Sequence, residues 1–386
     1  MKRTLCMLLL CAGLLPGRVC WASDEGRAPT LAPTSIGIAA EAALLMDQAT
    51  GTVLYEKNAD APMAPASVTK VMTLLLIMED LDSGKIRLDD TVTASRRAAS
   101  FGGSCVYLEE GERMTVDEMI KCIAVVSAND CAVAMAEHLA GTEELFVQRM
   151  NDRAAELGLT NTHFTNCTGL FDDAEHYSSA RDIAVVSRAL MEHEKIRDYT
   201  TIWMDSIRDG AFELVNTNRL VLSYEGCTGL KTGFTSKAMY CLSATAERDG
   251  LGFIAVILHG ESSDSRNADA AALLNYAFAS FSLCPLRPET PLPELPVEMG
   301  RSGSVRLCYG GEEQALVPKS AAQPDYALDL PELVSAPVEK GQRLGTLTVR
   351  LGEETVAEVE ILAADAVERI GFWGIFRKLA RSLTGL

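Results

Sequence analysis

Ser67-Val68-Thr69-Lys70 sets a hydroxyl and an amine three residues apart, and it is the single Ser-x-x-Lys run in the chain. On a helix those positions share a face, so the two groups can meet. A serine hydroxyl is a poor nucleophile until a base takes its proton. A lysine can be that base only where burial or a second cation lowers its pKa. The apolar run Val71-Met72-Thr73-Leu74-Leu75-Leu76-Ile77 that follows is suited to burying such a helix. Ser127-Ala128-Asn129 offers a second hydroxyl and an amide, able at a helix–helix turn to relay a proton and hold a substrate amide. Ser265-Arg266-Asn267 has the same form, and either triplet alone reads equally well as a helix cap. Lys231-Thr232-Gly233 completes the set. On a sheet-edge strand its lysine could bring positive charge to a substrate carboxylate and to the neighbouring base. Its threonine could donate a hydrogen bond, and its glycine lets a substrate backbone approach closely. By itself that triplet is an ordinary turn with an exposed lysine. The three runs follow one another at spacings of about sixty and about a hundred residues, whereas Ser265 falls after Lys231 and so has the wrong topology.

Rigid elements must position these groups. Ala42–Met46, then Asp47-Gln-Ala-Thr-Gly51, then Thr52–Tyr55 predicts a hairpin. Ser67–Leu81 has a helical pattern with Pro65 just ahead of it. Thr115-x-x-Glu118 is a capping box that opens another helix. Helical patterns continue to about Leu157 and return at Ser179–Glu192. Arg219–Ser223, Ala238–Ala246 and Phe253–His259 read as strands, and a last helix spans about Asp264–Phe281. Strands, then helices, then strands and a helix predict an α+β fold with helices around an antiparallel sheet. Proline marks a boundary, since nine of the fourteen fall between Pro285 and Pro337 and none lies between Pro65 and Pro285. Short alternating segments such as Leu344–Leu351 and Val356–Leu362 make 284–366 a small all-β domain.

Composition excludes several classes. The chain has 386 residues, 48% of them apolar, with a net charge of −18. So acidic a surface argues against nucleic-acid binding, which needs a basic stripe. No His-Glu-x-x-His or Cys-x-x-Cys spacing points to a metal or a cofactor. Lys2 and Arg3, the apolar run Leu5–Leu15, the break at Pro16-Gly17 and the small residues Cys20 and Ala22 form a signal-peptide pattern over residues 1–22. Export is therefore expected, followed by a polar tether over 23–36. Eight cysteines lie beyond that signal, mostly single and in apolar runs, and buried free thiols are the preferred reading over disulfides. At the other end Phe372, Phe376, Leu379, Leu383 and Leu386 recur at helical spacing, with Arg377, Lys378 and Arg381 on the opposite side. Residues 367–386 thus fit an amphipathic helix in a membrane interface, the alternative being a helix docked on the β domain.

Ser-x-x-Lys, Ser-x-Asn and Lys-Thr-Gly in this order are shared by penicillin-binding proteins and class A β-lactamases. Ala64-Pro65-Ala66-Ser67, Ser127-Ala128-Asn129-Asp130, Asn166-Cys167-Thr168-Gly169-Leu170, His176-Tyr177-Ser178 and Thr228-Gly229-Leu230-Lys231-Thr232-Gly233-Phe234-Thr235 narrow the choice. Over residues 37–283 the chain resembles the serine-type D-alanyl-D-alanine carboxypeptidases, the low-molecular-weight penicillin-binding proteins; the likeness is fainter over 284–366. The resemblance implies a penicillin-binding-protein fold with a β-rich C-terminal domain and often a C-terminal anchor. It implies peptidoglycan stem peptides as substrate, β-lactams as covalent inhibitors, and the outer face of the cytoplasmic membrane as location. Ser67 would carry the acyl group and Lys70 would be the base. Ser127 and Asn129 would assist proton transfer and hold the peptide amide. Lys231, Thr232, Gly233 and Arg266 would bind substrate, Lys231 also keeping Lys70 neutral by repulsion. The backbone N–H groups of Ser67 and Phe234 would form the oxyanion hole, although Phe234 stands where relatives carry histidine. Three readings stay open beside a carboxypeptidase: a β-lactamase, a D,D-endopeptidase and a non-catalytic scaffold. The lactamase is disfavoured by the lack of a Glu-x-x-x-Asn run within residues 156–176.

Overall fold

In the computed structural model, residues 36–171 and 173–376 are described; the expected signal peptide, nearly all of the tether and residues 377–386 lie outside them. Strands β1 (Ala42–Asp47) and β2 (Val53–Lys57) form the expected hairpin. With β3 (Cys227–Thr235), β4 (Met239–Arg248) and β5 (Leu251–Gly260) they build an antiparallel sheet in the order β2-β1-β5-β4-β3. Every residue of β1 is buried because both faces of the sheet are covered. Ala42, Leu44 and Met46 join a core with the helices, while Ala43 and Leu45 join a second core with the long C-terminal helix of the domain. That double burial explains a continuous apolar run where a half-exposed strand would alternate.

Helix α1 (Lys70–Asp82) continues from a 3-10 turn at Ala66–Thr69. It is apolar all round and buried almost throughout, as befits a helix at the centre of a layer. Helix α2 (Val116–Val125) starts at Thr115, whose hydroxyl accepts the Glu118 N–H while the Glu118 carboxylate accepts the Thr115 N–H. The capping box expected there is thus formed. Helix α3 (Asn129–Ala140) follows after a turn at 126–128, and α4 (Glu143–Glu156) and α5 (Ala180–Met191) complete the layer. Helix α6 (Ser263–Ser280) covers the opposite face of the sheet through Ala270, Leu273, Leu274 and Ala277.

One expected strand is corrected. Leu220–Ser223 is a helical turn, with the Asn218 carboxamide oxygen accepting the Leu220 N–H. A short apolar run carries no periodicity that separates helix from strand. Beyond α6 the described residues to 363 are all strand and loop, including a four-stranded sheet formed by Leu307–Tyr309, Glu354–Ala363, Arg343–Leu351 and Pro324–Asp329. All eight cysteines described are free. Five are buried, but Cys105 and Cys227 are half-buried and Cys308 is exposed, so the expected burial holds for the majority alone.

Candidate active site

The 3-10 turn offers Ser67 at the end of a buried helix. Pro65, Ala66, Val68 and Thr69 around it are buried, and Ser67 is the residue of the turn that reaches solvent. Edge strand β3 presses on this turn at Gly233. A Cβ there would lie 2.9 Å from the Pro65 carbonyl oxygen and 3.0 Å from the backbone nitrogens of Ser67 and Val68. Only glycine permits that approach, which sets the Lys231-Thr232-Gly233 strand beside the nucleophile.

Lys70 is completely buried. Its Nζ lies 3.1 Å from Ser67 Oγ, 2.5 Å from Asn129 Oδ1 and 2.8 Å from the Thr168 carbonyl oxygen. The two carboxamide and carbonyl oxygens can only accept. A neutral amine has two N–H bonds and one lone pair; with both hydrogens donated to Asn129 and Thr168, the lone pair faces the serine hydroxyl. Burial pushes the Lys70 pKa down to about 7, with Cys167, Cys105 and Asp130 opposing the shift. Burial, rather than the expected repulsion from Lys231, is therefore the leading cause. The repulsion shows on the partner: Lys231, also fully buried, is held well below its usual range by burial and then by Lys70 and Arg266.

Asn129 is tied at both ends. Its Nδ2 donates to the Gly102 carbonyl at 2.8 Å and its backbone N–H to that of Ser104 at 2.7 Å. Its side chain thereby bridges Lys70 and the Gly102 carbonyl. Ser127 Oγ is buried and has no hydrogen-bond partner among the described residues. Thr232 Oγ1 donates to Thr217 Oγ1 at 2.7 Å, and Lys231 Nζ to the Thr232 carbonyl at 3.0 Å. Arg266 lies behind β4, buried, with its guanidinium donating to the Cys241 carbonyl, Ser263 Oγ and Asn267 Oδ1. It reaches the edge strand through rings: its guanidinium carbon is 5.9 Å from the centre of Tyr240, which packs 4.5 Å from the half-exposed Phe234.

The loop 165–169 is the part that residue-type reasoning missed. Asn166 Oδ1 accepts the N–H groups of Thr168 and Gly169 and the Thr168 hydroxyl, folding the loop on itself. Thr73 Oγ1 donates to the Cys167 carbonyl at 2.7 Å, fixing the loop to α1. Gly169 has φ +72°, and a Cβ there would lie 1.8 Å from the Ala66 carbonyl oxygen. The signal available in the sequence was this Asn-x-x-Gly turn pattern. No carboxylate among the described residues is hydrogen-bonded to Ser67 or Lys70. Asp130 accepts the backbone N–H groups of Val106 and Leu108, Glu143 pairs with Arg97, Glu156 pairs with Arg153 at the surface, and Glu175 is exposed.

A buried lysine aimed at a serine beside a glycine-bearing edge strand, on this fold, defines the penicillin-binding-protein class of serine acyl-transfer enzymes. The chain belongs to the D-alanyl-D-alanine carboxypeptidase family, whose model matches residues 29–262. Residues 294–369 match a penicillin-binding protein 5 C-terminal domain. The D-alanyl-D-alanine carboxypeptidase DacF of Bacillus subtilis is 41% identical over 96% of both chains. DacA of Escherichia coli is 31% identical over 97% of this chain and 94% of its own. The crystal structure of penicillin binding protein 5 from Haemophilus influenzae superposes with a TM-score of 0.74 at 29% identity, covering 87% of this chain and 100% of that one. The α+β fold, the serine hydrolase class and the D-Ala-D-Ala carboxypeptidase activity follow.

Proposed function

We propose that this carboxypeptidase works through an acyl-enzyme on Ser67. Neutral Lys70 takes the hydroxyl proton as Ser67 Oγ attacks the carbonyl of the penultimate D-alanine. The N–H groups of Ser67 and Phe234 receive the oxyanion. Terminal D-alanine leaves with a proton relayed through Ser127, and water, activated by Lys70, releases the shortened stem peptide. Lys231 and Thr232 hold the terminal carboxylate, with Arg266 adding positive potential from behind the strand. Asn129 acts here by holding Lys70. A β-lactam enters the same step, but its leaving group stays tethered, so the adduct persists. The observation that carries this reading is the position of Lys70 Nζ, fully buried and within hydrogen-bond distance of Ser67 Oγ and of two oxygens that can only accept. Treatment with benzylpenicillin, peptide mapping and a D-alanine assay on a pentapeptide ending in D-Ala-D-Ala test it. A long-lived adduct on the Ser67 peptide and one D-alanine per substrate are expected. Rapid turnover of the adduct would indicate a lactamase, and an adduct elsewhere would refute the assignment.

The proposed organisation places the catalytic domain at 37–283 and a β-rich domain at 284–366, supported by the separation of the five-stranded sheet from the strands after Phe281. The chain is proposed to be exported and to attach to the outer face of the cytoplasmic membrane through its C-terminal segment. Residues 367–370 are stitched to the β-rich region, where Val367 exchanges hydrogen bonds with Val338 and Ile370 donates to Met299. The attaching part is therefore placed from 371 onward. Residues 372–376 are helical, and Phe372, Trp373 and Phe376 are strongly exposed. Three adjacent exposed aromatics flanked by basic residues suit a lipid headgroup boundary. Among the described residues no helix is long and apolar enough to cross a membrane. Deleting residues 371–386 is expected to abolish co-sedimentation of residues 23–386 with anionic vesicles while leaving hydrolysis of a soluble peptide unchanged. Equal sedimentation of the truncated chain would make the segment a structural element.

A further inference from the structure

We propose that His176 is a positioning residue for the base, holding the Thr168 carbonyl against Lys70 by bracing the loop 165–169 on the nucleophile turn. His176 is buried at the far end of that loop. Its Nδ1 accepts the Thr165 backbone N–H at 3.1 Å, so the ring proton sits on Nε2. Nε2 then donates to Thr69 Oγ1 at 2.8 Å. The imidazole thus joins the first residue of the loop to the residue immediately before Lys70. Between those two ties lie the Thr168 carbonyl on Lys70 Nζ and Gly169 against Ala66. A neutral ring is required, because an imidazolium would have no acceptor for the Thr165 N–H. Burial supplies it: the His176 pKa is depressed to about 4, with Asp173 opposing and His163 reinforcing the shift.

The consequence concerns the amine, not the substrate. If the brace loosens, Lys70 loses an acceptor, one N–H is freed, and its lone pair is no longer confined to Ser67. A carbonyl stabilises an ammonium more than an amine, so loss of Thr168 also lowers the pH at which Lys70 becomes neutral. Cys105 and Asp130, which raise the Lys70 pKa, and Lys231, which repels it, lie outside the loop; Cys167, which also raises it, lies within the loop, and its withdrawal would move the midpoint in the same direction.

The inference rests on Lys70 as the base, and the unaltered enzyme tests that separately: its limiting acylation rate by benzylpenicillin must rise with pH through about 7. Thr69→Val and His176→Phe each remove the tie to Thr69. Each is expected to lower the limiting acylation rate roughly tenfold or more, the scale of a displaced catalytic group. The dissociation constant of the complex before acylation should stay unchanged, and the midpoint of the pH profile should move to lower pH. His176→Gln, whose amide can accept from Thr165 and donate to Thr69, should recover most of the rate and the original midpoint. Thr69→Val keeps the shape of the site and reads the same contact if His176→Phe does not fold. A normal rate and midpoint in Thr69→Val, or a loss confined to substrate affinity, would overturn the inference.

Discussion

Ser67→Ala is expected to abolish both covalent labelling by benzylpenicillin and release of D-alanine, while far-ultraviolet circular dichroism and the melting temperature stay close to those of the unaltered protein. The loss of turnover should be roughly a million-fold, the scale reached when a serine hydrolase loses its nucleophile. Among the described residues the neighbouring hydroxyls are not placed to substitute. Ser127 Oγ makes no hydrogen bond to Lys70, and Thr69 Oγ1 is engaged with His176. Fold should survive because Ser67 is the least buried residue of its turn and loses a single oxygen atom. Mass spectrometry of the alanine variant after prolonged exposure to benzylpenicillin decides the matter, since an adduct of normal yield would place the nucleophile elsewhere.

The two buried lysines should separate cleanly. Lys70→Arg is expected to lose roughly a hundredfold to ten-thousandfold in acylation, the range for removal of a general base. A guanidinium stays charged and cannot take a proton from Ser67. Lys231→Arg keeps the charge and should retain part of the activity, with the loss appearing mainly in substrate affinity. Equal losses in both, with the same division between rate and affinity, would argue against distinct roles. The pH dependence carries the same sign. Lys70 is neutral above about 7 and protonated below, so acylation falls on the acid side and Lys70→Arg removes that dependence. The depressed pKa also has a cost in stability. Between about 7 and the usual lysine value of 10.5 the folded chain binds fewer protons than the unfolded one, so stability gains from this group as pH rises through that window.

Much of this was legible in the sequence because it depended on side-chain type. The hairpin from Ala42, the capping box at Thr115 and the amphipathic α5 each have a local cause that acts within a few residues. Ser67, Lys70, Asn129 and Gly233 could be picked out because their chemistry is written in their identities, and the fold brings them together. Arg219–Ser223 turns as a helix where a strand is expected, because five residues are too few to show a period. The contact of Arg266 with Tyr240 crosses between α6 and the sheet and has no sequence-local trace. The second acceptor of Lys70 was invisible for a simpler reason. It is a main-chain carbonyl, and every residue has one.

That last feature bears on how the site can change by mutation. A side-chain acceptor is lost in one codon change, as Asn129 would be. The Thr168 carbonyl persists through any substitution of Thr168, since the genetic code rewrites side chains and leaves the amide in place. Vulnerability passes instead to the positions that aim the carbonyl. At Gly169 even a methyl group would collide with the Ala66 carbonyl, and Asn166 and Thr73 fix the loop from either side. Variants that alter the response to β-lactams through this loop are therefore expected to act by redirecting the carbonyl, from Gly169, Asn166, Thr73 or the Thr168 hydroxyl that Asn166 accepts, rather than by removing it.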